Sequence, residues 1–285
     1  MQQRGSDFMG IGVPKSGSTW FMRVLSQHPQ IFVTARKEPH HFSSEVRFNS
    51  GLSDYYDLYK NAKSNHVAGE FSTKYLYFAE KVSPRIKMYC PKSKLICILR
   101  DPVQRSISHF NWLKQIGFMG KDIRLAEAIK INQGIIGHSK YSKGVKIFLK
   151  DFGKENILFL KTEDLKNKHR YIFDNVRKFL KVNEYEFDVE GVAKSETISP
   201  RIKSVEGLRK GLHEAIIKYN QDWLLKTSAA QSFSKIYRNL NSNHDKNISI
   251  TSKEIELLSS YFEDDLLELS KLIAIDISGW NRLDN

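Results

Sequence analysis

Apolar residues along this chain fall into two rhythms. Short apolar runs at 8–13, 67–71, 94–99 and 156–160 each predict a strand, the first buried on both faces and the one over 94–99 central in a parallel sheet. Between the runs, apolar residues return at helical spacing. Trp20, Phe21, Val24 and Leu25 form one such stripe ahead of Pro29, and Ile107, Phe110, Trp112 and Leu113 form another after Pro102. Further helices are predicted near 143–152 and over 164–180, the latter striped by Ile172, Phe173, Val176, Phe179 and Leu180. The final stripe, Ile255, Leu258, Phe262, Leu266, Leu269 and Ile273, starts at the capping box Thr251-Ser252-Lys253-Glu254 and predicts one long core helix. Strands alternating with helices predict an α/β fold: a single domain over 1–285, with a central, mostly parallel sheet flanked by helices. Ligands of such sheets bind beyond the carboxyl ends of the strands.

Two of those strand ends carry chemistry. The first strand runs into Pro14-Lys15-Ser16-Gly17-Ser18-Thr19 and then a helix. A strand-to-helix turn offers free backbone N–H groups and a positive helix end, and Lys15 and the hydroxyls add to both. The guest this favours is a phosphate or a sulfate. A Walker loop has its lysine after the second glycine, whereas Lys15 precedes Gly17, which argues against an ordinary ATPase or GTPase. The strand over 94–99 runs into Arg100-Asp101-Pro102, with Ser108 two turns into the next helix. A guanidinium fork plus a hydroxyl makes a second anion site, so one nucleotide could place two phosphates here.

Composition narrows the partners only slightly. The 285 residues are 40% apolar, enough for a substantial core, and show neither a repeat nor a linker. With 45 Lys+Arg against 32 Asp+Glu, the formal charge of +13 favours anionic ligands without choosing among them. Cys90 and Cys97 make no disulfide framework and lack partners at zinc spacing. The apolar runs are too short to cross a bilayer, and the N-terminal residues run straight into the first strand. The expectation is a cytoplasmic protein with no transmembrane segment and no nucleic-acid partner, its oligomeric state open.

Together the two phosphate motifs resemble those of the sulfotransferases that use 3′-phosphoadenosine 5′-phosphosulfate (PAPS). The loop from Pro14 to Trp20 is similar to that family's 5′-phosphosulfate loop, and Arg100 with Ser108 to its 3′-phosphate site. Lys37-Glu38-Pro39-His40-His41-Phe42 resembles a segment of the heparan-sulfate branch, and the stretch ending at Trp280 resembles the family's closing helix and tryptophan. Two departures stand out: Phe71 occupies the place of a lysine used near the acceptor, and Ser43 that of an acidic residue.

The resemblance implies PAPS as sulfuryl donor, PAP as product and a small-molecule or glycan acceptor. Lys15, Ser16, Gly17, Ser18, Thr19, Trp20, Arg100 and Ser108 would bind the nucleotide, Lys15 also neutralising the leaving phosphate. No metal is required, since the transferred group is monoanionic. Glu38 is the first candidate for the base that takes the acceptor's proton, its pKa expected to rise beside aromatic residues; His40 and His109 compete for the role. Glu70 either orients Lys15 or the acceptor, or simply closes a strand. A small-molecule kinase and a non-catalytic polyanion-binding protein are the alternative readings.

Overall fold

Each long strand feeds two cores, which is why its sequence lacks alternation. In β1 (Phe8–Gly12), Met9 and Ile11 face one side while Phe8 faces the other. The pattern repeats in β4 (Lys94–Leu99): Leu95, Cys97 and Leu99 point one way, Ile96 and Ile98 the other. Burial on both faces requires helices on both faces. The computed structural model describes residues 4–120, 122–192, 199–200, 242–243 and 250–281.

After β1 come α1 (Ser18–Leu25), β2 (Ile31–Val33), α2 (Glu45–Asn49), α3 (Ser53–Asp57) and β3 (Val67–Phe71). The chain continues through α4 (Ala79–Tyr89), β4, α5 (Pro102–Gln115), α6 (Leu125–Ile131), α7 (Gly134–Gly137) and α8 (Ser142–Phe152). Then follow β5 (Ile157–Lys161), α9 (Thr162–Asn167), α10 (His169–Leu180), α11 (Ser252–Ser260) and α12 (Glu263–Leu272). The five strands form one sheet in the order β2-β3-β1-β4-β5, with every pairing parallel. One face packs on α1 and α10 through Phe21, Leu25, Phe173 and Val176. The other packs on α4, α8 and α12 through Val82, Ile86, Phe148 and Leu269. Gly10 has no room for a side chain, because a Cβ there would lie 1.8 Å from the Phe71 ring.

Two predicted helices are each divided. The 164–180 segment breaks at Lys168 into α9 and α10, although Ile172, Phe173, Val176 and Leu180 remain buried as one stripe. The terminal segment breaks at Tyr261 and Phe262, whose N–H groups bond three residues back, to Leu258 and Ser259. That tightened turn keeps Phe262 buried and brings Asp265 of α12 onto the start of α8. There Asp265 accepts bonds from the Tyr141 N–H at 2.7 Å, the Ser142 N–H at 3.1 Å and the Ser142 hydroxyl at 2.6 Å. The capping box forms as read, and its Glu254 also accepts from the Leu125 N–H at 3.2 Å. Trp280 is buried edge-on to Tyr141. Cys90 and Cys97 are both buried free thiols. Among the described residues no helix is long and apolar enough to cross a membrane.

Candidate active site

A crevice of about 800 Å³ opens where the chain leaves β1, β2 and β3, with α5 as its far wall. From the first turn it takes Pro14, Lys15, Gly17, Ser18 and Thr19; after β2 it takes Lys37 and Glu38; after β3, Thr73 and Lys74. Ser108, His109 and Trp112 line it from α5, and His138 from the end of α7.

The β1 turn is built for an anion. Gly17, the residue before α1, adopts φ 79° and places no capping side chain over the helix's first N–H groups. Lys15 sits at φ 71°, a left-handed conformation that costs a non-glycine residue about 1 kcal/mol. Burial above all, then Arg100, Lys37 and Arg105, brings the Lys15 ammonium down to about 8. Arg105 adds to this field from the interior. It is fully buried, pairs with no carboxylate among the described residues, and gives its N–H groups to Ser139 Oγ and the Ile135 and Gly134 carbonyls. Such an excess of cations around uncapped N–H groups fits a phosphosulfate.

The remaining residues of the expected nucleotide set divide. Ser108 lines the crevice. Arg100 stands behind the loop and donates from Nη1 to the Lys15 carbonyl at 2.9 Å. Asp101 between them is structural: it caps α5 by accepting the Gln104 N–H at 2.9 Å. The Ser16 hydroxyl turns inward to the Val13 carbonyl at 2.6 Å, which leaves only its backbone facing outward chemistry. The Trp20 ring lies against Phe173 of α10, 6.0 Å between centroids, and does not line the crevice.

The carboxylate opposite the cradle is Glu38, at φ 50°, followed by His40 at φ 53°. Glu38 Oε2 is 2.9 Å from His40 Nε2 and accepts the Thr73 hydroxyl at 3.2 Å, which leaves Oε1 open to a ligand among the described residues. Burial raises the Glu38 pKa, but the His40 bond and the charge of Lys37 outweigh it and hold the group below its usual value. This corrects the expected rise: the polar partners, not the aromatic ones, dominate. His40 backs Glu38 and does not itself line the crevice. His109 does, but burial and Arg105 push its pKa down to about 3, so it stays neutral and is a poor proton acceptor.

Lys37, Thr73, Lys74, Trp112 and His138 belong to the crevice without having been singled out. Lys37 adjoins Glu38, and Thr73 and Lys74 follow a strand end, so position alone could have found them. His138 comes from a four-residue helix with no sequence signal. Further basic residues of the sequence, Arg201, Lys203, Arg209 and Lys210, lie outside the described residues.

A parallel sheet whose strand ends bring an anion cradle and a carboxylate to one crevice is an arrangement suited to a phosphate- or sulfate-bearing ligand. The sulfotransferase domain family model matches residues 6–215, and the chain belongs to that family. It is 32% identical over 152 residues to the membrane-associated sulfotransferase kil1 of Dictyostelium discoideum, covering 49% of this chain and 32% of that one. Over 208 residues it is 27% identical to human heparan sulfate glucosamine 3-O-sulfotransferase 3B1, covering 69% of this chain and 51% of that one. The chain thus spans a third to a half of the length of these curated relatives. In fold it is similar to a crystal structure of a sulfotransferase from Alicyclobacillus acidocaldarius: TM-score 0.71, 19% identity, 98% of this chain and 100% of that one.

Proposed function

We propose that the protein transfers the sulfuryl group of PAPS to a hydroxyl of a carbohydrate or related alcohol, with Glu38 as the base. The observation that carries this is that Lys15, the α1 N-terminus and Glu38 line one crevice, with Glu38 held through Oε2 to His40 and Thr73. PAPS, when bound, supplies an activated sulfuryl group on a phosphate leaving group. Lys15 and the N–H groups of 17–19 hold the 5′ end and stabilise charge that develops there. Ser108, with Arg100 behind the loop, holds the second phosphate. Glu38 Oε1 takes the proton of the attacking hydroxyl, while His40 and Thr73 fix Oε2. The sugar assignment is supported by the likeness of the Glu38 segment to the heparan-sulfate branch and by the name of the human relative.

The test is sulfuryl transfer from PAPS to a panel of sugars, glycolipids, polyketide alcohols and phenols. Glu38→Gln is expected to lower turnover roughly 10²–10⁴-fold, while PAP affinity stays near wild type. A near-wild-type rate for this variant transfers the role to His40, the remaining ionisable group at the carboxylate. Activity confined to planar phenols removes the carbohydrate assignment.

A further inference from the structure

Glu70 has no part in the transfer just described, yet its carboxyl is fully buried at the end of β3. Filling that space with an apolar residue would avoid the cost of desolvating an acid. Burial pushes Glu70 up to about 7, the hydroxyls of Ser72 and Tyr75 oppose the rise, and the charge of Glu38 adds to it. The other groups facing it are the Tyr55 phenol of α3, the Tyr59 phenol beyond it and the Cys90 thiol at the end of α4. No cation is among them, and Glu70 is not half of an ion pair among the described residues.

Its hydrogen bonds lead to the active site instead. Glu70 Oε2 accepts the Ser72 hydroxyl at 2.8 Å, and the same Ser72 oxygen accepts the backbone N–H of His40 at 2.9 Å. His40 is one of the two left-handed residues of the 38–40 segment, and its ring is bonded to Glu38. The next residue after Ser72, Thr73, holds the Glu38 carboxylate itself. The end of β3 therefore grips this strained segment at its backbone and at its side chain. A segment in that conformation persists only when its surroundings over-determine it.

We infer that Glu70, acting through Ser72, is a positioning residue that holds the 38–40 segment so that Glu38 faces the crevice. The inference rests on the reading of Glu38 as the base. As pH rises through about 7, Glu70 ionises and its Oε2 becomes a stronger acceptor for the Ser72 hydroxyl that holds the His40 N–H.

The experiment compares Ser72→Ala and Glu70→Gln with the wild type, using PAPS and whichever panel alcohol is sulfated fastest. Ser72→Ala cuts the link and leaves Glu70 in place. It is expected to lower kcat roughly tenfold to a hundredfold while PAP affinity stays within about twofold of wild type. Glu70→Gln keeps an acceptor for Ser72 and removes the titration, so it is expected to lose the rise in kcat between pH 6 and 8, about one unit either side of the midpoint. Wild-type kcat in Ser72→Ala, a wild-type pH profile in Glu70→Gln, or losses of PAP affinity equal to the losses of kcat each overturn the inference. If Glu38→Gln is inactive while both variants behave as wild type, only the positioning role falls; if Glu38→Gln is active, the base assignment itself is wrong.

Discussion

Lys15 carries two opposing requirements in one side chain. Its charge is needed for an anion, yet burial and three neighbouring cations disfavour that charge. A lysine whose folded pKa lies below its unfolded one costs the fold stability at neutral pH, and that cost is relieved as pH rises through about 8 toward 10.5. A bound phosphate offsets the same cost, since it restores the charged form. Replacing Lys15 by Ala therefore removes a strain of the free protein as well as a ligand contact. PAP affinity is expected to fall modestly and turnover by much more, as measured by calorimetry and steady-state rates. Arg100→Ala is expected to weaken PAP more than adenosine 5′-phosphosulfate, which lacks the 3′-phosphate. Equal losses would mean that Arg100 acts only through the Lys15 carbonyl it holds. At this scale the sequence was informative where a turn forces the geometry: Lys15, Gly17, Ser18 and Thr19 follow from a strand entering a helix. It was silent on Arg105, whose effect is a field felt through space, and on His138, which follows a four-residue helix; neither has a spacing to betray it.

Among the elements, the junction of α8 and α12 shows how a helix break is used. The terminal stripe was read as continuous because a single tightened turn leaves the 3.6-residue rhythm nearly intact. What the rhythm hides is Asp265, which receives three bonds from Tyr141 and Ser142 at the start of α8, the nearer of them 123 positions earlier in the chain. A carboxylate at a helix N-terminus satisfies donors that have no partner within the helix. Asp265→Ala is expected to destabilise the protein by about 1–2 kcal/mol, seen as a lower melting temperature with PAP affinity unchanged. Asp265→Asn, which keeps an acceptor, should recover part of the loss. The long strands were legible because two-sided burial leaves no polar alternation. The three residues of β2, Ile31–Val33, were not, since so short a run carries no period. The break at Lys168 was missed for the reason that hid the one at Tyr261: the apolar stripe continues across it.

Across the whole molecule, the crevice draws on residues from Pro14 to His138 and depends on strands that are not neighbours in the chain. An unfolded chain has no such site, so a ligand that fits it stabilises only the folded state. PAP at about 100 times its dissociation constant is expected to add about 2.7 kcal/mol, read as a rise in melting temperature. No rise would remove the nucleotide from this crevice.

The order of the sheet has one more outcome. Between β2 and β4 lie β3 and β1, and the turns that leave β1 and β3 sit side by side although 54 residues separate the crevice residues Thr19 and Thr73. A nucleotide lying across those turns acts as a rivet through the top of the sheet. In hydrogen–deuterium exchange, backbone amides of the 14–19, 37–40 and 72–74 stretches should slow together and by similar factors as the rivet is set. Strand edges at the opposite end of the sheet should keep their own exchange rates.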